Sequence, residues 1–239
     1  MDSLFEETWF YAPLRNVGDR ARLADEEASH LRKVLRIKTG TNVLVSNGQG
    51  QVFECETFDG AGAVEVLAVA LHRLEPQPPQ LNLVLGLLKG RDLEEPVEAV
   101  CQLPVQSIHL VTTDFSQEFR HQEYGRLMER LRQKSLAGLK QAKKTWLTTV
   151  HPPVPLREWG KAHEGGTLVL AHPGPDQLPS KPEGDFYLLI GPEGGFSPDE
   201  LGWLLNGKKC HTLGLGDTRI RAVTAPLLAC GKLIGLGWV

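Results

Sequence analysis

The stretch of this 239-residue chain best suited to hold and react a small ligand is Tyr187-Leu-Leu-Ile-Gly-Pro-Glu-Gly-Gly-Phe-Ser-Pro-Asp-Glu200. Tyr187 to Ile190 have the length and apolarity of a strand covered on both faces. Gly191, Gly194 and Gly195 permit positive φ and let a ligand approach backbone with no Cβ in the way. Ser197, Pro198 and Glu200 predict a helix start: Ser197 as N-cap, Pro198 at the first helical position, Glu200 closing a capping box. A strand feeding a glycine turn is a common seat for nucleotide-like ligands in α/β folds; it is also an ordinary tight connection. Glu193 puts a carboxylate in this turn, either for chemistry or to fix the turn by accepting backbone N–H bonds.

Other chemistries are argued against by spacing. Cys210-His211 has no companion at ligand spacing, so no metal is expected. The Gly-Lys pairs at Gly160, Gly207 and Gly231 are never followed by Ser or Thr, which excludes a P-loop. Gly214-x-Gly216 lacks the third glycine of a dinucleotide fingerprint. His172, after Leu168-Val-Leu-Ala171, serves either proton handling or loop structure.

Leu189-Ile-Gly-Pro-Glu-Gly-Gly-Phe-Ser-Pro-Asp-Glu200 resembles the signature of the ribosomal RNA small-subunit methyltransferase E family. So do His30-Leu-Arg-Lys-Val-Leu-Arg-Ile-Lys-Thr-Gly40, Asn47-Gly-Gln-Gly50 and Leu213-Gly-Leu-Gly-Asp-Thr-Arg-Ile-Arg-Ala-Val-Thr-Ala225. The resemblance implies an S-adenosylmethionine-dependent enzyme of the SPOUT class, acting without a metal on N3 of a uridine in 16S rRNA. It implies a fold that periodicity alone would not suggest, an α/β domain ending in a trefoil knot, since knots are nearly absent from proteins.

Three loops of that knot are implied to hold the methyl donor. They correspond to Leu170 and His172; to Ile190, Gly191, Glu193, Gly194 and Gly195; and to Leu213, Gly214, Leu215, Gly216, Arg219 and Ile220. Catalytic candidates are Glu193, Arg221 and Thr224. Arg221 either stabilises charge on the uracil oxygens or binds a phosphate, and Thr224 either contacts the base or caps the last helix. The family has an acid between the arginine and threonine of its last motif, where this chain has Val223. Departures in Val97–Pro104 and Gly138–Lys144 likewise leave open a divergent paralogue with another RNA nucleotide as target, or a catalytically silent RNA-binding protein of the same fold.

These segments need elements to position them. The composition, 41% hydrophobic and 23% charged with net charge −3, is that of a soluble globular protein. Met1 to Phe10 carries three acids and no base, unlike a secretory or transit peptide, and no apolar run reaches membrane-span length. Four scattered cysteines offer no disulfide framework, so a cytoplasmic location without membrane contact is expected.

Residues 1–73 read as short strands with turn punctuation, including a hairpin around Asn47-Gly48 and a short helix from Asp25 to Leu35. The resemblance identifies this region as a small PUA-like β-barrel, an RNA-binding module. Residues 74–80 form a proline-stiffened linker. From 81 to 239, strands alternating with helices imply a parallel α/β sheet. Asp92 and Glu95 are expected to cap a helix running to about Leu103.

Arg32, Lys33, Arg36 and Lys38 cluster on the first helix and just after it. Residues 120–144 hold eight bases, among them Arg130 and Lys134, against Glu123 and Glu129. Both sets are candidate RNA-facing patches, or solvated helix faces. The final helix, Thr224 to about Leu236, is apolar nearly all round and must be covered on more than one side. Gly231 and Gly235 leave it a flat strip, and the resemblance favours a homodimer through this region.

Overall fold

The computed structural model describes residues 8–35, 39–60, 63–75, 77, 80–88, 92–116, 121–172, 174–207 and 210–239. Arg36 and Lys38 lie outside them, as does part of the 74–80 linker. Two compact units result: Met1–Pro78 with Leu139–Leu147, and Pro79–Gly138 with Thr148–Val239. The inclusion of Leu139–Leu147 in the first unit has no counterpart in the local sequence pattern.

The first unit is built on β1 (Trp9–Tyr11), β2 (Arg20–Arg22), β3 (Asn42–Ser46), β4 (Gln51–Asp59) and β5 (Val64–Leu74). Their order in the sheet is β1-β3-β4-β5-β2. The hairpin joining β3 to β4 turns on Asn47, whose side-chain oxygen accepts the backbone N–H groups of Gln49 (2.8 Å) and Gln51 (3.1 Å). Inward residues such as Phe10, Val45, Phe53 and Val66 share a core with Leu23 and Leu31. Helix α1 (Asp25–His30) is shorter than expected because Leu31–Leu35 winds on as a π-turn.

The second unit is a six-stranded sheet in which every pairing is parallel. Its strands are β6 (Leu81–Gly86), β7 (Val105–Thr112), β8 (Thr149–Pro155), β9 (Thr167–His172), β10 (Phe186–Ile190) and β11 (Cys210–Gly214). The order is β11-β9-β10-β6-β7-β8, which puts β10 between β9 and β6. Apolar residues cover both faces, as a parallel sheet requires. One face packs Leu83, Ile108, Val169 and Leu188; the other packs Val84, Val111, Leu170 and Leu189.

The helices are α2 (Glu94–Val100), α3 (His121–Gln141), α4 (Leu156–Ala162), α5 (Pro198–Gly207) and α6 (Ala225–Gly235). Two capping expectations need correction. Leu93, not Asp92, occupies the N-cap of α2, with no side-chain cap, and the helix ends at Val100. Thr224 is the N-cap of α6, but its hydroxyl makes no capping bond because its backbone is already αR. Helix α6 buries Ala225, Pro226, Ala229, Cys230 and Leu233 in its own unit and leaves Leu227, Leu228 and its C-cap Leu236 exposed. Space is open beside Gly231 and Gly235. Among the described residues, no helix is long and apolar enough to cross a membrane.

Toward the N-terminal ends of the strands lies a polar and aromatic ladder. Ser107 donates its hydroxyl hydrogen to Asn82 Oδ1 (2.6 Å), so the 2.8 Å contact with His109 Nε2 requires the imidazole to be the donor. The His109 ring stacks on His151 (4.4 Å between centroids) and meets His163 edge-on at 5.0 Å. Burial, then the neighbouring His151 and His163, push the His109 pKa from 6.5 down to about 3.

The unfolded chain protonates this ring near pH 6.5, the folded chain only near pH 3. The unfolded state therefore takes the proton first, and stability falls as pH drops from about 6.5 toward 3. His109→Phe, which keeps a stacking ring without the titration, is expected to flatten that decline. Melting temperatures of wild type and variant between pH 7.5 and 5 check it; equal slopes would count against His109 as the source.

Candidate functional site

The carboxyl ends of β9 and β10, and the loop after β11, surround a cavity of about 340 Å³. That is the lower end of the range of about 300–1,000 Å³ typical of small-molecule sites. Local sequence explains the turn after β10. Ser197 and Glu200 form the anticipated capping box: Glu200 Oε2 accepts the Ser197 N–H (2.8 Å) and Ser197 Oγ accepts the Glu200 N–H (3.2 Å). Gly195, at φ +74°, turns the chain toward α5, and its N–H bonds Pro192 O (2.8 Å).

Long-range packing does the rest. A Cβ on Gly86, the last residue of β6, would lie 2.5 Å from Pro192 Cδ, so only glycine lets that strand end reach the turn. The second oxygen of Glu200 accepts the N–H of Asp114 (2.9 Å), and the Ser197 hydroxyl donates to the Asp114 carboxylate. Glu200 is only 3% exposed and serves two backbone donors with one carboxylate. None of these ties to Asp114 is visible in the sequence pattern.

The third segment is held by a clamp equally hidden in the sequence. Asp176 Oδ1 accepts the N–H of Gly214 (2.8 Å) and the ammonium of Lys232 (2.7 Å), which also donates to Gly214 O (2.7 Å). Lys232, first among these, and the Gly214 N–H hold the Asp176 carboxyl below its usual pKa. Gly174 and Gln177 bridge to Gly216 and Thr212, so the 174–177 segment lies along the end of β11. Asp176 and the structural part of Lys232 were not anticipated; a lone lysine on an otherwise apolar helix is the signal that could have found the latter.

Most of the anticipated donor residues line this one cavity. Leu170 and His172 do so from β9, and Ile190, Gly191, Glu193, Gly194 and Gly195 from β10 and its turn. Leu215, Gly216, Arg219 and Ile220 do so from the loop after β11. Leu213 and Gly214 do not: Leu213 is fully buried in the core, and Gly214 is packed against Gly174. Arg221 and Thr224 are also off the lining and exposed, in the turn leading into α6. Among the lining residues Glu193 is the one carboxylate and Arg219 the one guanidinium. Phe196, Leu201 and Ala225 add apolar wall that motif reading passed over.

Three of the candidate RNA-facing bases are engaged in ion pairs. Arg32 bonds Asp59 (2.9 Å from Nε), Arg130 bonds Glu94 (2.8 Å) and Lys134 bonds Glu98 (2.5 Å). Lys33 is exposed. Among the described residues no group of three or more His, Cys, Asp or Glu is placed to hold a metal ion.

Comparison with known proteins places this geometry. A family model described as RNA methyltransferase domain matches residues 75–234, and one described as RNA methyltransferase PUA domain matches 23–62. A Synechocystis protein named ribosomal RNA small subunit methyltransferase E is 24% identical over 238 residues, covering 94% of this chain and 76% of the relative. A Legionella pneumophila protein solved in complex with the bound cofactor SAM is 25% identical, with TM-score 0.84 over 96% of this chain and 98% of its own. The Neisseria gonorrhoeae ribosomal RNA small subunit methyltransferase E, bound to S-adenosyl methionine, shares the fold at TM-score 0.83 and 20% identity, with coverage of 96% and 98%.

Proposed function

Because the chain belongs to the RNA methyltransferase family, we propose that its glycine-lined cavity holds S-adenosylmethionine and that the methyl group goes to N3 of a uridine in 16S rRNA. The observation carrying this reading is the convergence of three segments, 170–172, 190–196 and 215–220, on one cavity with a largely backbone and apolar lining. That lining suits a nucleoside held by main-chain groups, and Arg219 supplies the one positive charge a carboxylate would meet. When bound, the cofactor supplies an electrophilic methyl on a sulfonium.

The chain's own task is to place the acceptor nitrogen in line and let its imide proton leave; positioning alone supplies much of such a rate. Glu193, the one carboxylate on the cavity wall, is assigned to that task. Arg221 and Thr224, exposed beside the cavity-lining Ala222 and Ala225, are assigned to the RNA: the guanidinium faces developing charge on the uracil oxygens or a backbone phosphate.

The same reading makes the 213–224 region part of a trefoil knot and the first unit a PUA-like barrel that binds RNA. The exposed apolar strip of α6, with its open glycines, is the surface of a homodimer, and the enzyme works in the cytoplasm on 16S rRNA or the small ribosomal subunit. A second reading, a different RNA nucleotide as target, is favoured by Val223, which packs on the hydrophobic core where the family pattern has an acid.

Mass mapping of modified nucleotides in rRNA from a deletion strain and its complemented parent tests both. Loss of one methylated uridine in 16S rRNA supports the first reading, and loss elsewhere supports the second. Calorimetry that detects no S-adenosylmethionine binding would instead leave an RNA-binding protein.

A further inference from the structure

We propose that the ring of Phe115 is the stacking wall for the RNA base that receives the methyl group. This assignment rests on the reading of the cavity as the donor site. Phe115 follows β7 and is 51% exposed, the only exposed Phe, Tyr or Trp among the described residues. It touches the donor turn directly. A Cβ on Gly194, which lines the cavity, would lie 2.9 Å from Phe115 Cβ and 3.3 Å from Cγ.

Nor is the ring on a loose tip. Within its turn the Thr113 N–H bonds Ser116 Oγ (3.0 Å) and the Ser116 N–H bonds Thr113 O (3.0 Å). The adjacent Asp114 is fixed from both sides, its N–H by Glu200 and its carboxylate by the Ser197 hydroxyl. An apolar ring that burial does not stabilise is thus held in place against the residue that shapes the donor cavity. Bases offer a π-face whatever their identity, and single-stranded RNA is gripped by such rings. A wall at Gly194 sets the plane of an incoming base relative to the methyl donor, which a purely electrostatic RNA contact does not.

The test is methyl transfer from tritiated S-adenosylmethionine to total RNA and to ribosomal subunits from a deletion strain, beside calorimetric S-adenosylmethionine affinity. Phe115→Ala is expected to lower kcat/KM for RNA roughly 10- to 100-fold while the cofactor Kd stays within about twofold. Phe115→Tyr and Phe115→Trp should restore activity to within about threefold. Phe115→Leu, of similar bulk but without a π-face, should stay low, and it carries the test if the alanine variant does not fold.

Alanine activity within about twofold of wild type overturns the assignment. So does a cofactor affinity that falls in step with activity, or full rescue by leucine, either of which makes Phe115 a structural prop for the turn. A wild-type protein that binds no cofactor and transfers no methyl group would fail at the reading of the cavity itself, and Phe115 with it.

Discussion

Gly214→Ala is expected to weaken S-adenosylmethionine binding at least about tenfold and to lower the melting temperature by roughly 2–12 °C. A Cβ at Gly214 would fall on the carbonyl oxygen of Gly174, far inside van der Waals contact. The obstacle is backbone, not the free end of a long side chain, so it cannot swing aside. The 174–177 segment is also tied down, through the Gly174–Gly216 and Gln177–Thr212 bridges and the Asp176 carboxylate shared by Gly214 and Lys232.

Room for the methyl therefore comes only from breaking part of that clamp or displacing the end of β11. Forced overpacking of this kind costs about 1–3 kcal/mol, and for a chain of this size each kcal/mol is worth about 2–4 °C. Leu215 and Gly216, the next two residues, line the cavity and move with the strand end. A loss of at least about tenfold in affinity corresponds to only ~1.4 kcal/mol.

Gly202→Ala is the control. It sits inside α5 with its nearest neighbour, Asn206 Nδ2, at an ordinary 3.9 Å. There alanine is expected to be neutral or to stabilise by about 0.5–1 kcal/mol through better helix propensity. Scanning calorimetry and titration of cofactor into both variants separate the outcomes. A Gly214→Ala protein with wild-type melting and affinity would mean that the 174–177 segment yields freely and is no clamp.

What could be read in advance follows from the range of the forces involved. The capping box of Ser197 and Glu200 spans three residues, so spacing alone announces it. The buried run before it is equally local, and with the glycine turn it announced the 190–196 wall of the cavity, whereas the other two walls were implied only by the family resemblance. The Asn47 turn was legible for the same reason.

The clamp on Gly214 was not legible, because its partners lie 38 and 18 residues away and meet only after β9 and β11 pair and α6 packs. Strand β8, Thr149-Val-His-Pro-Pro-Val-Pro155, carries three prolines that argue against a strand, and it exists because an edge position asks for hydrogen bonds from one side only. Strands β1 and β2, three residues each, are too short to show a period. Asp92 and Thr224 had the right residue types for caps, but the neighbouring backbone had already turned helical at Leu93 and at Thr224 itself.

Glu200→Ala is expected to destabilise the fold by about 2–4 kcal/mol. Its carboxylate is almost wholly buried and accepts two backbone N–H groups, Ser197 at 2.8 Å and Asp114 at 2.9 Å. Removing it takes the acceptor from the buried Ser197 N–H and from the part-buried Asp114 N–H, and an unsatisfied buried group costs about 1–3 kcal/mol. A first-turn carboxylate at the start of α5 is lost as well, together with its favourable interaction with the helix dipole.

Glu200→Gln keeps one oxygen for one of the two donors and turns an NH2 group toward the other, so about half the loss is expected. Urea unfolding of the three proteins measures the series. The functional effect should run in parallel, because this one side chain fastens two different walls. Through Ser197 it fixes the start of α5, directly behind the Gly191–Phe196 turn, and through Asp114 it fixes the turn that presents Phe115. Glu200→Ala should therefore weaken cofactor binding and RNA turnover together, whereas Phe115→Ala should affect RNA alone. Were the alanine variant as stable as wild type, the Ser197 and Asp114 donors would have to find other acceptors, and the coupling of the two walls through Glu200 would fail with them.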